Sequence, residues 1–85
     1  MARSVFSGAY QSFIRRLAEA RAAAGVTQVE LARRLSKPQS FISKIERSER
    51  RLDVFEFCAI ARALGKEPPD LLRELLKDLA GNLPI

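Results

Sequence analysis

The sequence contains no histidine and only one cysteine, Cys58, and these absences exclude several classes of protein. A single cysteine cannot form a disulfide within the chain, and without histidine partners it cannot build a zinc site. We therefore expect no metal and no other cofactor. An enzyme is the least supported class of protein, because the chain also lacks a glycine-rich phosphate loop.

Long apolar runs are missing as well. No segment approaches the roughly 18 apolar residues that a membrane span requires, and no apolar signal segment follows residues 1–4. We therefore expect a cytoplasmic protein. The length of 85 residues suits one small domain over residues 1–85, and a partner chain would help to stabilise its thin core.

The formal net charge of +5 is concentrated in the middle of the chain. Residues 33–51 carry seven basic and two acidic side chains, whereas residues 1–32 carry a small basic excess and residues 52–85 an acidic one. Such a cluster favours an anionic polymer as the partner. A solvated charged surface is the alternative, and the position of these residues in the fold must decide between the two.

Apolar residues recur at helical spacing along almost the whole chain, and no alternating β pattern competes with them. The first predicted helix covers residues 7–24 and stops at Gly25. The second begins with a capping box formed by Thr27 and Glu30, and it ends near Leu35.

Three further helices are predicted from the turn residues that follow. The third covers residues 38–47, with a proline in its first turn. The fourth follows a cap at Asp53 and ends at Gly65, and the fifth runs from the prolines at 68–69 to Gly81. The sequence therefore predicts an all-α chain of five helices, two of them very short and joined by about three residues.

Two short helices joined by a tight turn form a helix-turn-helix motif, here over residues 28–47. Residues 17–76 resemble the phage-repressor-like (Cro/Xre-type) helix-turn-helix domains. The matching motifs are Gly25-Val26-Thr27-Gln28, Glu30-Leu31-Ala32, Gln39-Ser40-Phe41-Ile42-Ser43-Lys44-Ile45-Glu46-Arg47 and Ile60-Ala61-Arg62-Ala63-Leu64-Gly65. The resemblance implies a five-helix, lambda-repressor-like fold that binds double-stranded DNA.

The resemblance also implies roles for individual residues. It places the start of the third helix in the DNA major groove, where a glutamine amide can pair with adenine. The residues expected to contact bases are Gln39, Ser40, Ser43 and Lys44. The residues expected to contact phosphates are Gln28, Arg33, Arg34, Lys37, Arg47, Arg50 and Arg51. The alternative is that these side chains are polar only because they face solvent.

Two further expectations follow from the same resemblance. Arg21 and Glu46 occupy positions that form a structural ion pair between the first and third helices of the family. Ser36 and Ser48 stand where family members often have glycine, so a positive φ is expected there despite the strain.

The fifth helix has more apolar positions than one buried face requires, and this predicts a homodimer formed through residues 66–85. The interface is predicted to contain Phe55, Leu72, Leu75, Leu76, Leu79 and Leu83. A two-fold dimer would place its recognition helices about 34 Å apart, which is one turn of DNA.

We therefore predict a sequence-specific DNA-binding transcriptional regulator, acting as a homodimeric repressor on a pseudo-palindromic operator. Activation by a controller-type protein stays open. The closest alternative is an antitoxin of the same fold, which would add a toxin as protein partner. A helical protein-interaction module without DNA binding is a further alternative, but it leaves the basic residues around the third helix unexplained.

Overall fold

The computed structural model describes residues 8–77, 79 and 83. Over this part of the chain it contains five helices and no strand, so the predicted all-α class is confirmed. The helices are α1 (Gly8–Ala23), α2 (Gln28–Arg34), α3 (Gln39–Glu46), α4 (Val54–Ala63) and α5 (Pro68–Leu75).

The start of α2 is set by Thr27, whose hydroxyl accepts a hydrogen bond of 3.0 Å from the backbone N–H of Glu30. Only this half of the predicted capping box is present, because the Glu30 carboxylate accepts hydrogen bonds from Arg33 and Arg34 instead. A complete capping box occurs at the start of α4. Both caps satisfy backbone donors that a helix end otherwise leaves without partners.

Two predicted helix boundaries differ from the structure. Pro38 is the N-cap of α3, with an extended ψ of 156°, and therefore lies just before the helix rather than in its first turn. The fifth helix ends at Leu75, well before Gly81, which lies outside the described residues. Short helices depend on tertiary packing, and Leu75 is the last residue of α5 that is buried in the core.

One hydrophobic cluster joins the five helices. The α2 and α3 helices pack closely through Ala32, which is only 3% exposed, and the short side chain allows the two backbones to approach each other. The fully buried residues of largest volume are Ile14, Leu31, Ile42, Ile45 and Leu71. Because α3 contributes two of them, the core fixes which face of that helix remains at the surface.

The turns on either side of α3 contain serines in the left-handed region. Ser36 has a φ of 56° and Ser48 a φ of 58°. The positive φ expected at these two positions is therefore present. A side chain with a Cβ atom is strained in this conformation, and glycine is not. The turn that connects the two short helices therefore stores a small amount of strain.

We expect Ser36→Gly to raise the free energy of unfolding by up to about 1 kcal/mol, because glycine removes the strain at the cost of some entropy in the unfolded chain. Ser40→Gly is the matched control, since Ser40 lies inside α3. That variant should lose about 0.5–1 kcal/mol. Denaturant unfolding measures both changes, and a loss of stability in Ser36→Gly would contradict the prediction.

None of the helices in the described part of the chain combines the length and the hydropathy needed to cross a bilayer. Among the same residues, no group of three or more acidic or cysteine side chains is arranged to hold a metal ion.

Candidate nucleic-acid interface

The α3 helix presents a polar face at its N-terminal end. Gln39, Ser40 and Lys44 are exposed, whereas the two isoleucines on the opposite face are each 1% exposed. Ser43 is half-buried, and its hydroxyl donates a hydrogen bond of 3.3 Å to the carbonyl oxygen of Ser40. Three of the four residues predicted to contact bases therefore lie exposed on one helix, and the fourth is partly covered.

An ion pair between Arg21 of α1 and Glu46 of α3 joins this helix to the first helix. The Arg21 Nε atom donates to Glu46 Oε2 at 2.7 Å, and Nη2 donates to Oε1 at 3.1 Å. The remaining Nη1 atom donates to the carbonyl oxygen of Val26 at 2.7 Å. The two charged side chains are only 16% and 12% exposed. The predicted structural pair is therefore present, and it connects the first helix to the third.

Hydrogen bonds continue from this ion pair to the protein surface. Glu46 Oε1 also accepts a bond of 2.8 Å from the side-chain amide of Gln28, at the start of α2. The Gln28 amide oxygen in turn accepts a bond of 3.2 Å from the amide nitrogen of Gln39. The Gln39 side chain is thus oriented by a partly buried charge. Gln28 keeps one N–H that these two bonds do not use.

Several of the arginines predicted to contact phosphates are bound to carboxylates of the chain itself. Arg33 and Arg34 both donate to Glu30, and Arg34 also donates to the carbonyl oxygen of Ala63 at 2.7 Å. These hydrogen bonds lower the pKa of Glu30 from 4.5 to about 2. Both side chains are thereby bound to Glu30 of their own helix, Arg34 also joins α2 to the end of α4, and the contact of the two with phosphates remains a prediction.

Arg47 follows the same pattern at the end of α3. Its guanidinium donates to Glu49 at 3.0 and 3.2 Å, and both side chains are more than half exposed. The pair raises the pKa of Arg47 and lowers the pKa of Glu49. An exposed pair of this kind is weak, so a DNA phosphate can compete for the guanidinium.

Three of the four remaining basic residues of the segment lie against aromatic rings. The ammonium of Lys37 lies 5.3 Å from the ring centroid of Phe41, and the guanidinium of Arg50 lies 4.7 Å from the same centroid. The Arg51 guanidinium lies 5.0 Å from the ring centroid of Tyr10. Aromatic rings attract cations in this geometry, so the positions of these three charges are defined.

Arg50 is also bound to Glu56, the N3 residue of α4, through hydrogen bonds of 2.9 and 2.7 Å. These bonds, with a further one from the backbone N–H of Asp53, lower the pKa of Glu56 from 4.5 to about 2 although burial opposes the shift. The folded state therefore holds a proton on Glu56 less tightly than the unfolded chain. The resulting stabilisation is complete above the unfolded pKa and is lost as the pH falls from about 4.5 to about 2.

We expect Glu56→Gln to be less stable than the wild type by about 1 kcal/mol at neutral pH, a value that allows for solvent screening of the half-exposed pair. The difference between the two proteins should disappear as the pH approaches 2, because Glu56 is then protonated in the wild type as well. Urea unfolding at a series of pH values measures this. A difference that stays constant with pH would contradict the prediction.

The predicted dimer surface has one residue that the structure places elsewhere. Leu75 is 3% exposed and belongs to the core, because it lies on the face of α5 that packs against the other helices, so it is not available to a partner. Phe55 is 85% exposed beside Val54, which is 74% exposed although the apolar spacing of the fourth helix predicts a buried position for it. The other predicted interface residues that remain exposed or half-buried are Leu72, Leu76, Leu79 and Leu83.

The sequence interpretation missed three residues that organise this surface. In the structure Phe41 and Tyr10 carry cations on their rings, and Glu56 binds Arg50. Alternation of aromatic and basic residues was the signal available, but it does not identify which ring meets which cation.

A helix-turn-helix family model matches residues 17–71, which is more than half of the chain. The chain belongs to this family. The helix-turn-helix protein is similar to an XRE-family like protein from Pseudomonas syringae pv. tomato, with 54% identity, a TM-score of 0.75, and coverage of 81% of this chain and 84% of that one. The Cro/Xre-type resemblance is thereby confirmed.

Two further solved structures are named as regulators. The restriction-modification controller protein C.AhdI from Aeromonas hydrophila is 31% identical over 76% of this chain and 98% of its own, with a TM-score of 0.69. The clp gene regulator ClgR from Corynebacterium glutamicum is 25% identical over 91% of this chain and 100% of its own, with a TM-score of 0.74. No curated protein matches the sequence. A gene regulator and a controller protein are therefore among the structural relatives of this helix-turn-helix protein.

Proposed function

We propose that this helix-turn-helix protein is a sequence-specific DNA-binding transcriptional regulator that represses by occupying its operator. The observation that carries the proposal is the Gln39 amide, which lies exposed at the start of α3 and is oriented through Gln28 by the ion pair below it. A helix-turn-helix inserts this part of its second helix into the major groove. A pre-oriented amide there can recognise adenine.

The surrounding charge supports the same conclusion. Ser40 and Lys44 lie exposed beside Gln39 on α3, and we assign both to base contact. Lys37 and Arg47 flank the helix at its two ends and are assigned to phosphates, which fix the register of the protein on the duplex. A long, curved anion such as the DNA backbone can contact both ends at once.

We further propose that the protein binds as a homodimer. Phe55 exposes 85% of its surface, and burying large apolar side chains like this one favours association. Leu72 and Leu83, which are 40% and 52% exposed, are assigned to the same interface. A two-fold dimer reads two half-sites about 34 Å apart, so the operator is expected to be pseudo-palindromic.

Selection of bound sequences from a random DNA pool tests the proposal. The wild-type chain should enrich one motif with two-fold symmetry, and its affinity should fall steeply with salt, by roughly 0.9 in log–log slope for each phosphate contacted. Enrichment of no motif, with equal affinity for all duplexes, would overturn sequence-specific regulation.

Sedimentation equilibrium of the same protein tests the dimer. A two-fold mass in the absence of DNA supports the homodimer. A monomer that associates only with another protein would favour the antitoxin alternative, in which the exposed surface around Phe55 binds a protein partner such as a toxin.

A further inference from the structure

The loop that follows α3 is held by an arginine whose guanidinium has partners on three segments. Arg50 stacks on the ring of Phe41 in α3, at 4.7 Å from its centroid. Its Nη1 atom donates to the carbonyl oxygen of Arg51 within the loop at 3.0 Å. The same guanidinium binds both carboxylate oxygens of Glu56 in α4, at 2.9 and 2.7 Å. One side chain therefore connects the recognition helix, the loop and the next helix.

A second aromatic residue holds the other side of this loop. The hydroxyl oxygen of Tyr10 in α1 accepts a hydrogen bond of 3.0 Å from the backbone N–H of Leu52, and the Arg51 guanidinium lies over its ring. Tyr10 lies outside the residues that the family model matches. This attachment therefore uses a residue that the family model does not cover.

The bonding of Arg50 leaves it poorly suited to bind phosphate. Two of its guanidinium nitrogens donate to Glu56, one of these also donates to Arg51, and one face of the guanidinium lies against Phe41. Three of its five N–H groups are used in these bonds, and a phosphate at the other two would lie beside the Glu56 carboxylate, which repels it. Arg47, by contrast, is paired with Glu49, whose side chain is 52% exposed.

We infer that Arg50 is a positioning residue: together with Phe41 and Glu56 it fixes the loop that presents Arg47 and Arg51 to the DNA backbone, and it does not itself neutralise a phosphate. The inference rests on the proposed function. It replaces the phosphate contact expected for Arg50 from the sequence. A loop fixed before binding avoids the entropy cost of ordering it on the DNA.

The substitution Glu56→Gln separates the two roles by the sign of its effect on DNA affinity. Glutamine keeps an oxygen for the N–H of Asp53, so the cap of α4 is retained, but it removes the charge that holds Arg50. If Arg50 binds phosphate, removing a competing negative charge tightens DNA binding. If Arg50 positions the loop, the same change releases the loop and weakens DNA binding.

We expect Glu56→Gln to bind the selected operator about fivefold more weakly than the wild type, at a temperature where both are folded. Glu49→Gln is the matched control, because it removes the same charge from the same surface while leaving Arg50 bound. That variant should bind as tightly as the wild type or more tightly. Tighter binding by Glu56→Gln than by the wild type would overturn the inference.

Arg50→Gln gives a readout that a change of stability does not move. Its affinity should fall while the salt slope stays at the wild-type value, because no phosphate contact is lost. A decrease of the slope by about 0.9 would show that Arg50 neutralises a phosphate, and would overturn the positioning role.

Amide hydrogen exchange of Leu52 tests the loop without any DNA. Glu56→Gln should exchange this amide about tenfold faster than the wild type, while core amides of α3 change less. Unchanged exchange would overturn the inference even if the protein binds DNA. A wild-type chain that binds no duplex would overturn the proposed function, and faster exchange in Glu56→Gln would then still support the attachment of the loop by Arg50.

Discussion

Glu46→Ala should lower the free energy of unfolding by about 2–4 kcal/mol, slightly less than the loss of one member of a fully buried pair. The substitution leaves the Arg21 guanidinium, which is 16% exposed, with the carbonyl oxygen of Val26 as its remaining bond in this network. It also removes the acceptor of the Gln28 amide. A partly buried charge that has lost its carboxylate and a partly buried amide that has lost its acceptor account for the size of the loss.

The matched control for this prediction is Glu49→Ala. Glu49 pairs with Arg47 at a similar distance, but the two side chains are 52% and 60% exposed, so its removal should cost much less stability than the removal of Glu46. Denaturant unfolding of both variants gives the comparison. Equal losses in the two variants would show that burial of the Arg21 pair adds nothing to stability.

The helices of this fold were largely predictable because their signals are local. Glycine at 25 and 65, a cap at Thr27 and the spacing of apolar residues each act within a few positions of the chain, and the structure follows them closely. The ion pair between Arg21 and Glu46 is different, since the two residues are 25 positions apart. Only the resemblance to the family predicted it.

What the sequence did not predict depends on how separate segments meet. Arg50 and Glu56 are six positions apart across an irregular loop, so no helical or strand spacing indicates that they touch. Leu75 has the same leucine pattern as its neighbours, and only the packing of α5 against the core distinguishes it from Leu72, which is 40% exposed. Local periodicity identifies an apolar stripe, but the tertiary structure decides which of its members are buried.

The partners of the basic residues in segment 33–51 also depend on the tertiary structure. Residues 33–51 carry the net excess of positive charge, yet two of the carboxylates that bind its arginines, Glu30 and Glu56, lie outside the segment. A charge count along the chain therefore does not show which arginines are paired with carboxylates of the chain itself.

Gln39→Ala should weaken binding to the selected operator by about 1–3 kcal/mol, which is roughly 5- to 150-fold, and should relax the preference at one base pair. The bond to Gln28 uses one N–H of the Gln39 amide, so the other N–H and the oxygen remain for the bidentate contact with adenine. Affinity for random DNA should not change. Fluorescence anisotropy with operator and random duplexes measures both, and an equal loss on the two would contradict base contact.

Gln28→Ala provides the test of how Gln39 is oriented. A bond of 3.2 Å joins the two side-chain amides. If Gln28 positions Gln39 through this bond, the double variant Gln28→Ala/Gln39→Ala should lose less operator affinity than the sum of the losses in the two single variants. Lys44→Ala combined with Gln39→Ala is the control pair, because no hydrogen bond joins those two side chains in the described part of the chain, and its losses should add. Additive losses for Gln28 and Gln39 would mean that the partly buried charge of Glu46 does not influence base recognition, and that α3 positions Gln39 by its backbone alone.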